Sequence, residues 1–154
     1  MSAPPFPPLR DLLPHGPESI LLDRMTAKDA DSVTVAVEIR LDTPFLVAGQ
    51  GVPAHVGLEY MAQACGAFAG LDARARGETA RVGFLLGTRR YVAARLWFVE
   101  GETLSVTAQL VLQDGPMAVF ACRITAGEAG LASAQLTVYQ PAPATRELAT
   151  GEQA

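Results

Sequence analysis

The sequence predicts an α+β fold in which one antiparallel sheet wraps around a single long helix. Three observations lead to this prediction. A segment after Val52 is apolar with helical spacing and extends to about Arg76. Two segments with the pattern of strands precede it, and about four follow it. No other segment of that length has a helical pattern, so strands must cover the helix on several sides.

The first forty residues predict an arm and two strands. Residues 1–8 form a Pro-rich arm, and residues 9–13 form at most one helical turn. The arm lacks both a positively charged and an apolar segment, so it does not resemble a signal peptide. Residues 20–25 are predicted to form a short strand. Residues 32–40 alternate apolar and polar side chains, which predicts a half-buried strand paired with the first through a turn at residues 29–31.

The central helix has apolar residues spaced for burial on nearly every side, and Gly77 supplies its stop. The residues expected to be buried are Val56, Leu58, Met61, Ala62, Cys65, Phe68, Ala69 and Leu71. A helix of about twenty residues is about 30 Å long, enough to cross a small domain. This helix is therefore expected to be the core element of the fold.

After the helix the pattern is that of β-strands, predicted over residues 81–86, 104–112, 117–125 and 131–139. Turns at residues 114–116 and 126–130 connect the last three strands. Residues 141–154 are predicted to be a disordered tail. One domain over residues 9–140, with its sheet wrapped around one helix, is the hot-dog architecture. Its sheet edge would suit dimerisation, because unpaired strand edges invite pairing.

Length and composition bound the class of protein. A chain of 154 residues with 49% hydrophobic residues suits one domain with one core. No run approaches the roughly eighteen apolar residues of a membrane span. Cys65 and Cys122 lie in apolar segments without the spacing of a disulfide framework. This favours reduced core thiols in a cytoplasmic protein over a disulfide between them.

The charge of the chain is unevenly distributed. The formal net charge of −4 disfavours nucleic-acid binding, which needs a basic surface. Half of the twelve basic residues nevertheless lie in one stretch, where Glu78 is the only acidic residue. The six are Arg74, Arg76, Arg81, Arg89, Arg90 and Arg95. This stretch is either a solvated edge or a docking site for an acidic partner.

Several chemical motifs are excluded by their context. Residues 49–54 match a loose G-x-G-x-x-A pattern, but dinucleotide folds need repeated βαβ units and this chain has one helix. No G-x-S-x-G nucleophile motif is present. The two His and two separated Cys do not suggest a metal site, since His55 and Glu59 together would supply only two ligands. Neither a cofactor nor a metal is expected.

Polar residues are few on the helix, and three of them line one face of its first two turns. His55, Glu59 and Gln63 are spaced at i, i+4 and i+8. The helix dipole favours Glu59 in the first turn irrespective of function. His55 is either a surface turn residue or part of a site. His15, in a Pro-His-Gly sequence, is most simply a loop residue.

Two motifs resemble a known enzyme family. Residues 12–15 read Leu-Leu-Pro-His and residues 20–24 read Ile-Leu-Leu-Asp-Arg, as at the opening of the FabZ-type 3-hydroxyacyl-acyl-carrier-protein dehydratases. Residues 58–64, Leu-Glu-Tyr-Met-Ala-Gln-Ala, resemble the helical motif in which the acidic residue of that family is catalytic. The basic segment and the turn ending in Gly101 and Glu102 are also similar. The resemblance covers residues 9–139 and implies the hot-dog fold and dehydration of a 3-hydroxyacyl thioester.

One departure from that family concerns its catalytic base. The dehydratases have a Gly-His-Phe-Pro-Gly segment before the helix, whose His is the base. Here residues 44–53 are shorter and lack that segment. The shortened form is similar to the ApeP-type dehydratase subunits of aryl-polyene biosynthesis. The resemblance therefore implies one of two arrangements: His55 replaces the missing base, or a different dehydratase-like subunit supplies it.

The resemblance also implies roles for individual residues. Glu59 would be the acid that protonates the departing hydroxyl, while the backbone amides near Ala54 to Val56 would bind the thioester oxygen. Gln63 would orient Glu59 or a water molecule. Arg89 and Arg90 would dock an acidic acyl carrier protein that brings the substrate.

The expected assembly is a homodimer, or a heterodimer with another hot-dog dehydratase subunit. Two other functions stay open at this point. Hot-dog proteins include acyl-thioester hydrolases, which also place a carboxylate on this helix. A non-catalytic acyl-binding subunit of a heteromeric dehydratase would have the same fold.

Overall fold

The structure is a computed structural model that describes residues 6–79 and 83–141. Its one α-helix within this part of the chain, α1, spans Gly57–Ala75 and follows directly on a 3-10 turn at Ala54–Val56. Two further 3-10 turns, at Leu9–Asp11 and Pro17–Ser19, lie near the start. The strands are β1 (Arg24–Lys28), β2 (Ser32–Glu38), β3 (Val52–Pro53), β4 (Phe84–Ala93), β5 (Trp97–Phe98), β6 (Thr103–Asp114), β7 (Met117–Ala126) and β8 (Ala129–Tyr139). Most of the predicted arm and the predicted disordered tail lie outside the described residues.

Six strands form one antiparallel sheet in the order β1-β2-β6-β7-β8-β4, and β3 pairs with β5 beside it. The helix packs against the middle strands β2, β6 and β7. Helix α1 ends at Ala75, and Gly77 follows with a φ of +74°. The predicted α+β hot-dog fold is confirmed. In the part of the chain described, no helix is both long and apolar enough to cross a membrane.

The core lies between α1 and the concave face of the sheet. Tyr60, Met61 and Ala64 of the helix are buried, and the ring of Phe68 meets Phe120 of β7 edge-to-face at 5.6 Å between centroids. Five of the helix residues expected to be buried are only half-buried, namely Leu58, Ala62, Phe68, Ala69 and Leu71. Three of these, Ala62, Phe68 and Ala69, line a cavity, so this side of the helix is not covered by the sheet.

Two strand predictions differ from the structure, and two short strands were not predicted. Residues 20–23 are not part of β1: the Leu21 N–H donates to the Gln63 side chain, and only the Asp23 N–H donates to β2, at the Ala36 carbonyl oxygen. Strand β4 starts at Phe84 and extends to Ala93, well beyond the predicted residue 86, while residues 80–82 lie outside the described part. The two-residue strands β3 and β5 are too short to show any periodicity.

The segment before β1 lies unusually close to the helix. A Cβ atom at Gly70 would be 2.0 Å from the carbonyl oxygen of Leu12, and one at Gly66 would be 2.9 Å from the Leu13 side chain. Both leucines are buried. The two glycines therefore allow the segment that carries His15 to pack directly on α1.

The two cysteines face each other across the core. Cys65 of α1 and Cys122 of β7 are buried free thiols with their Sγ atoms 3.7 Å apart. Burial raises the pKa of the Cys65 thiol well above its usual range, which keeps it protonated and unreactive. Both thiols lie in the core, as predicted.

Candidate active site

Glu59 lies where two cavities meet. The larger cavity, of about 1270 Å³, runs along the uncovered side of α1 to strand β4 and the ends of β7 and β8. The smaller, of about 560 Å³, lies beside the loop before β3. Glu59 and Gln63 line both. Glu59 is in the first turn of α1 with an exposed side chain, so its carboxyl group is available to a molecule in either cavity.

The side chain of Gln63 is buried and uses its amide group to hold this region together. Its Nε2 donates to Glu59 Oε2 at 3.1 Å and to the Ser19 carbonyl oxygen at 2.9 Å. Its Oε1 accepts the Leu21 N–H at 2.9 Å. Both N–H donors are thus engaged within the protein. Gln63 therefore holds the Glu59 side chain by a hydrogen bond and has no N–H group left to donate to another molecule in this arrangement.

The backbone before the helix presents amide groups on the same side. Ala54 N–H already donates to the Leu96 carbonyl at 2.8 Å, so this amide is not free for a ligand, contrary to expectation. The amides of His55 and Val56 lie in the first turn, where a helix leaves N–H groups without partners inside the helix. The helix dipole also favours negative charge at this end. Two of the three expected oxyanion donors therefore keep that capacity.

The structure places both histidines of the chain at cavities that Glu59 lines. His55 lines the smaller cavity together with Glu59 and Gln63, which agrees with the predicted shared face. His15 lines the larger one with Glu59. The sequence analysis predicts a simple loop position for His15. The signal that could have placed it at the cavity is the Leu-Leu-Pro-His motif of residues 12–15, which comes just before the segment that Gln63 binds. Both imidazoles are exposed.

The arrangement combines a carboxyl group, two histidines and backbone donors, which suits general acid–base chemistry on a carbonyl compound. Within residues 6–79 and 83–141 no three His, Cys, Asp or Glu residues are grouped so that they could hold a metal ion.

The basic stretch divides into paired and unpaired residues. Arg76 forms ion pairs with Asp72 and Glu78, and Arg95 Nη2 lies 2.7 Å from Glu102 Oε2. Arg89 and Arg90 are exposed on β4 and have no acidic partner in the described part of the chain. Arg81 lies outside the described residues. Positive charge is therefore available at Arg89 and Arg90.

Two residues near the site gave no signal in the sequence. Tyr91 of β4 donates its hydroxyl hydrogen to the Ala54 carbonyl oxygen, and this contact spans 37 positions of the chain. Phe45 lines the smaller cavity with an exposed ring and a φ of +71°. Both positions depend on how loops and edge strands meet, which periodicity does not encode.

The chain was compared with solved structures. A chain of the dehydratase heterocomplex ApeI:P from Xenorhabdus doucetiae superimposes with a TM-score of 0.85 at 29% identity, over 90% of this chain and 94% of that one. A hypothetical thioesterase with coenzyme A from Streptococcus pneumoniae TIGR4 has a TM-score of 0.58 at 15% identity, over 77% and 84%. The E. coli PaaI protein from the phenylacetic acid degradation operon gives 0.57 at 15%, over 75% and 81%. At 15% identity the likeness concerns the fold alone.

Comparison of the sequence itself identifies the family of the chain. No curated protein matches the chain. The family model of ApeP-like proteins, described as ApeP dehydratase, matches residues 7–150. That match includes the segment with His15, the helix with Glu59 and all strands of the sheet. The chain therefore belongs to the ApeP-like dehydratase family.

Proposed function

We propose that the chain is one subunit of a 3-hydroxyacyl-thioester dehydratase and supplies the acid Glu59 to an active site completed by another hot-dog subunit. The observation that carries this proposal is the position of Glu59 where the two cavities meet, held by the buried Gln63. The dehydratase heterocomplex among the similar structures supports the shared arrangement.

The chemistry is the removal of water across C2 and C3 of the acyl group. A base takes a proton from C2, the C3–O bond breaks, and the Glu59 carboxyl group gives a proton to the departing hydroxyl. The products are a trans-2-enoyl thioester and water. The amides of His55 and Val56 stabilise negative charge that develops on the thioester oxygen as C2 loses its proton. The proton on the base then returns to Glu59 through solvent.

The base has two candidate sources. His55 is on the same chain and lines the smaller cavity with Glu59, so it is the internal candidate. The other source is a histidine of a partner subunit, which we favour because residues 44–53 lack the histidine segment of the related dehydratases. In both cases Glu59 keeps its role as the acid.

The two edges of the sheet differ, and this supports a partner at β4. The edge strand β1 has five residues and carries Arg24 and Lys28, and such charges discourage pairing. The edge strand β4 has ten residues and exposes a row of apolar side chains. These are Phe84, Leu85, Leu86 and Val92.

A long apolar edge needs a partner strand or a cover. A partner paired along β4 would also lie over the larger cavity, which Phe84 and Leu85 line.

The proposed substrate is an acyl group carried on an acyl carrier protein, in fatty-acid or aryl-polyene type biosynthesis in the cytoplasm. The larger cavity has apolar walls along Phe68, Phe120 and Leu85, which suit an acyl or aryl chain. Arg89 and Arg90 lie on β4, the strand that also contributes Phe84 and Leu85 to the cavity wall, and they provide positive charge for an acidic carrier. Binding of the carrier should therefore weaken as salt is raised.

The test is turnover of a 3-hydroxyacyl carrier-protein thioester by the purified chain, alone and with any dehydratase-like protein encoded beside it. We expect activity only with the partner, and a loss of about a thousandfold in Glu59→Gln, because the acid is removed while the shape is kept. The matched control is Glu128→Gln in the β7–β8 turn, which should leave activity unchanged.

The same assay separates the alternatives. Activity of the chain alone that is abolished by His55→Ala would identify His55 as the base, and His15→Ala tests the second histidine in the same way. Full activity of the complex with Glu59→Gln would contradict the proposal and favour a non-catalytic acyl-binding subunit. Hydrolysis of acyl-CoA without dehydration would favour a thioesterase.

A further inference from the structure

The turn before α1 is fixed from both sides by one segment of the chain. Ala54 N–H donates to the Leu96 carbonyl, and the Ala54 carbonyl oxygen accepts the hydroxyl of Tyr91 as well as the N–H of Gly57. Tyr91 lies near the end of β4, and Leu96 is the last residue of the short connection to β5. The backbone of residue 54 is therefore held by the sheet edge rather than by its own helix alone.

The Tyr91 contact acts on a particular peptide group. The Ala54 carbonyl and the His55 N–H belong to the same planar peptide, in which the C=O and N–H bonds point in opposite directions. Fixing the carbonyl oxygen therefore fixes the direction of the His55 N–H. A hydrogen bond accepted by the carbonyl also polarises the peptide and makes its N–H a stronger donor.

The sheet edge is distorted where it delivers this side chain. Arg89 pairs with Gln135 and Val92 with Ser133, so Arg90 and Tyr91 together oppose one residue of β8. Arg90 has a φ of +57°, a left-handed conformation that non-glycine residues rarely adopt. Such bulges re-aim side chains, and here the half-buried Tyr91 reaches the start of α1.

The helix leaves space for the hydroxyl. A Cβ atom at Gly57 would lie 2.5 Å from the Tyr91 oxygen and 3.0 Å from the Phe98 ring. The φ of Gly57 is −57°, so glycine is needed here for space and not for conformation. Burial raises the pKa of Tyr91, so its hydroxyl keeps its proton to donate over the physiological pH range.

We propose that Tyr91 is a positioning residue for dehydration: its hydroxyl fixes the Ala54–His55 peptide so that the His55 N–H points at the thioester oxygen. This rests on the proposed function, in which that amide stabilises the developing charge. Tyr91 touches neither the substrate nor the acid. It acts through the peptide that it holds.

The first measurement reports on the peptide itself and needs no substrate. Ala54–His55 is the one alanine–histidine sequence in the chain, since His15 follows a proline. Protein labelled with carbonyl-¹³C alanine and ¹⁵N histidine therefore gives a single correlation for this peptide. In Tyr91→Phe we expect both the carbonyl carbon and the amide proton to move upfield, as a hydrogen bond to the carbonyl is lost.

The second measurement is turnover by the complex of the full chain with its partner subunit. Removing an oxyanion donor lowers kcat by about a hundredfold or more, so misdirecting one in Tyr91→Phe should lower kcat by about tenfold. KM should stay within about twofold, because the interaction strengthens in the transition state. Gly57→Ala displaces the same hydroxyl, so it should also shift the Ala54–His55 signal and lower kcat.

The matched control is Tyr60→Phe. Tyr60 is buried on α1, and its hydroxyl has no hydrogen-bond partner in the described part of the chain. Its removal should leave the Ala54–His55 signal and kcat unchanged.

An unchanged signal in Tyr91→Phe would overturn the inference, and so would a shifted signal with unchanged kcat. An inactive wild-type complex would instead refute the proposed function, whatever the labelled signal shows.

Discussion

Gln63 is a buried side chain that connects two parts of the fold and also contacts Glu59. Its amide joins the segment at Ser19 and Leu21 to the helix and at the same time holds the Glu59 carboxyl group. A methionine at this position would fill the same space without any of these hydrogen bonds. The residue therefore links the packing of the N-terminal segment to the geometry of Glu59, the proposed acid.

We predict that Gln63→Met lowers both stability and turnover. The Leu21 N–H would lose its acceptor in a half-buried position, which costs about 1–3 kcal/mol in the free energy of unfolding. The freed carboxyl group of Glu59 would also adopt more rotamers, so kcat should fall by about tenfold. Urea denaturation and the dehydratase assay measure the two effects.

The control is Gln109→Met on the exposed surface of β6, which should change stability by no more than about 0.5 kcal/mol. A Gln63→Met variant as stable and active as the wild type would show that the amide network has neither role.

At the scale of elements, the helix was predictable and the edge strand was not. Helix α1 has enough turns for its periodicity to stand out, and its stop at Gly77 is a local signal. Strand β4 carries two bulges, around Leu86 and at Arg90, which break the alternation on which strand prediction depends. Its ladder partner β8 is also distant in sequence.

The same reasoning explains which part of the site the sequence revealed. Glu59, Gln63 and His55 are joined by helical spacing, so their common face was visible in the sequence. The contacts of His15 with the larger cavity and of Tyr91 with Ala54 cross long stretches of chain. No local pattern encodes such contacts, because they depend on the packing of whole elements.

The close approach of the N-terminal segment to α1 gives an element-scale prediction. Gly70→Ala should destabilise the protein by about 1–3 kcal/mol, since the new Cβ meets the backbone oxygen of Leu12, which cannot rotate away. Gly66→Ala is the matched variant, because it meets only the end of the flexible Leu13 side chain. Its clash is offset by the better helix propensity of alanine, about 0.5–1 kcal/mol.

Thermal or urea unfolding of both variants checks this. Equal stability of the two alanine variants would contradict the close backbone approach at Gly70. If Gly70→Ala also lowers turnover at temperatures where the protein is fully folded, the packing of the Leu12 segment on α1 is connected to the position of His15.

For the whole molecule, the proposed assembly makes the β4 edge the surface to test. Leu86→Lys combined with Val92→Lys places two charges on the exposed apolar edge, as natural edge strands do to prevent pairing. We expect the dissociation constant of the complex with the partner subunit to rise by about thirtyfold or more, equivalent to about 2 kcal/mol. Analytical ultracentrifugation measures this directly.

Val111→Lys provides the control, because Val111 is equally exposed but lies on β6, away from the β4 edge. If the double variant at β4 assembles as tightly as the wild type, the partner binds elsewhere on the chain.

The order of strands in the sheet has a consequence for how the protein is made. Strands β6, β7 and β8 follow one another through tight turns, so they can pair as soon as they are synthesised. Strand β4 leaves the ribosome much earlier, yet the strand it pairs with, β8, is synthesised last. Its apolar residues must therefore remain unpaired until β8 is made on one side and, on the other, until the partner subunit proposed to bind this edge arrives. Producing both subunits together in the same cell shortens that wait and limits aggregation of the nascent chain.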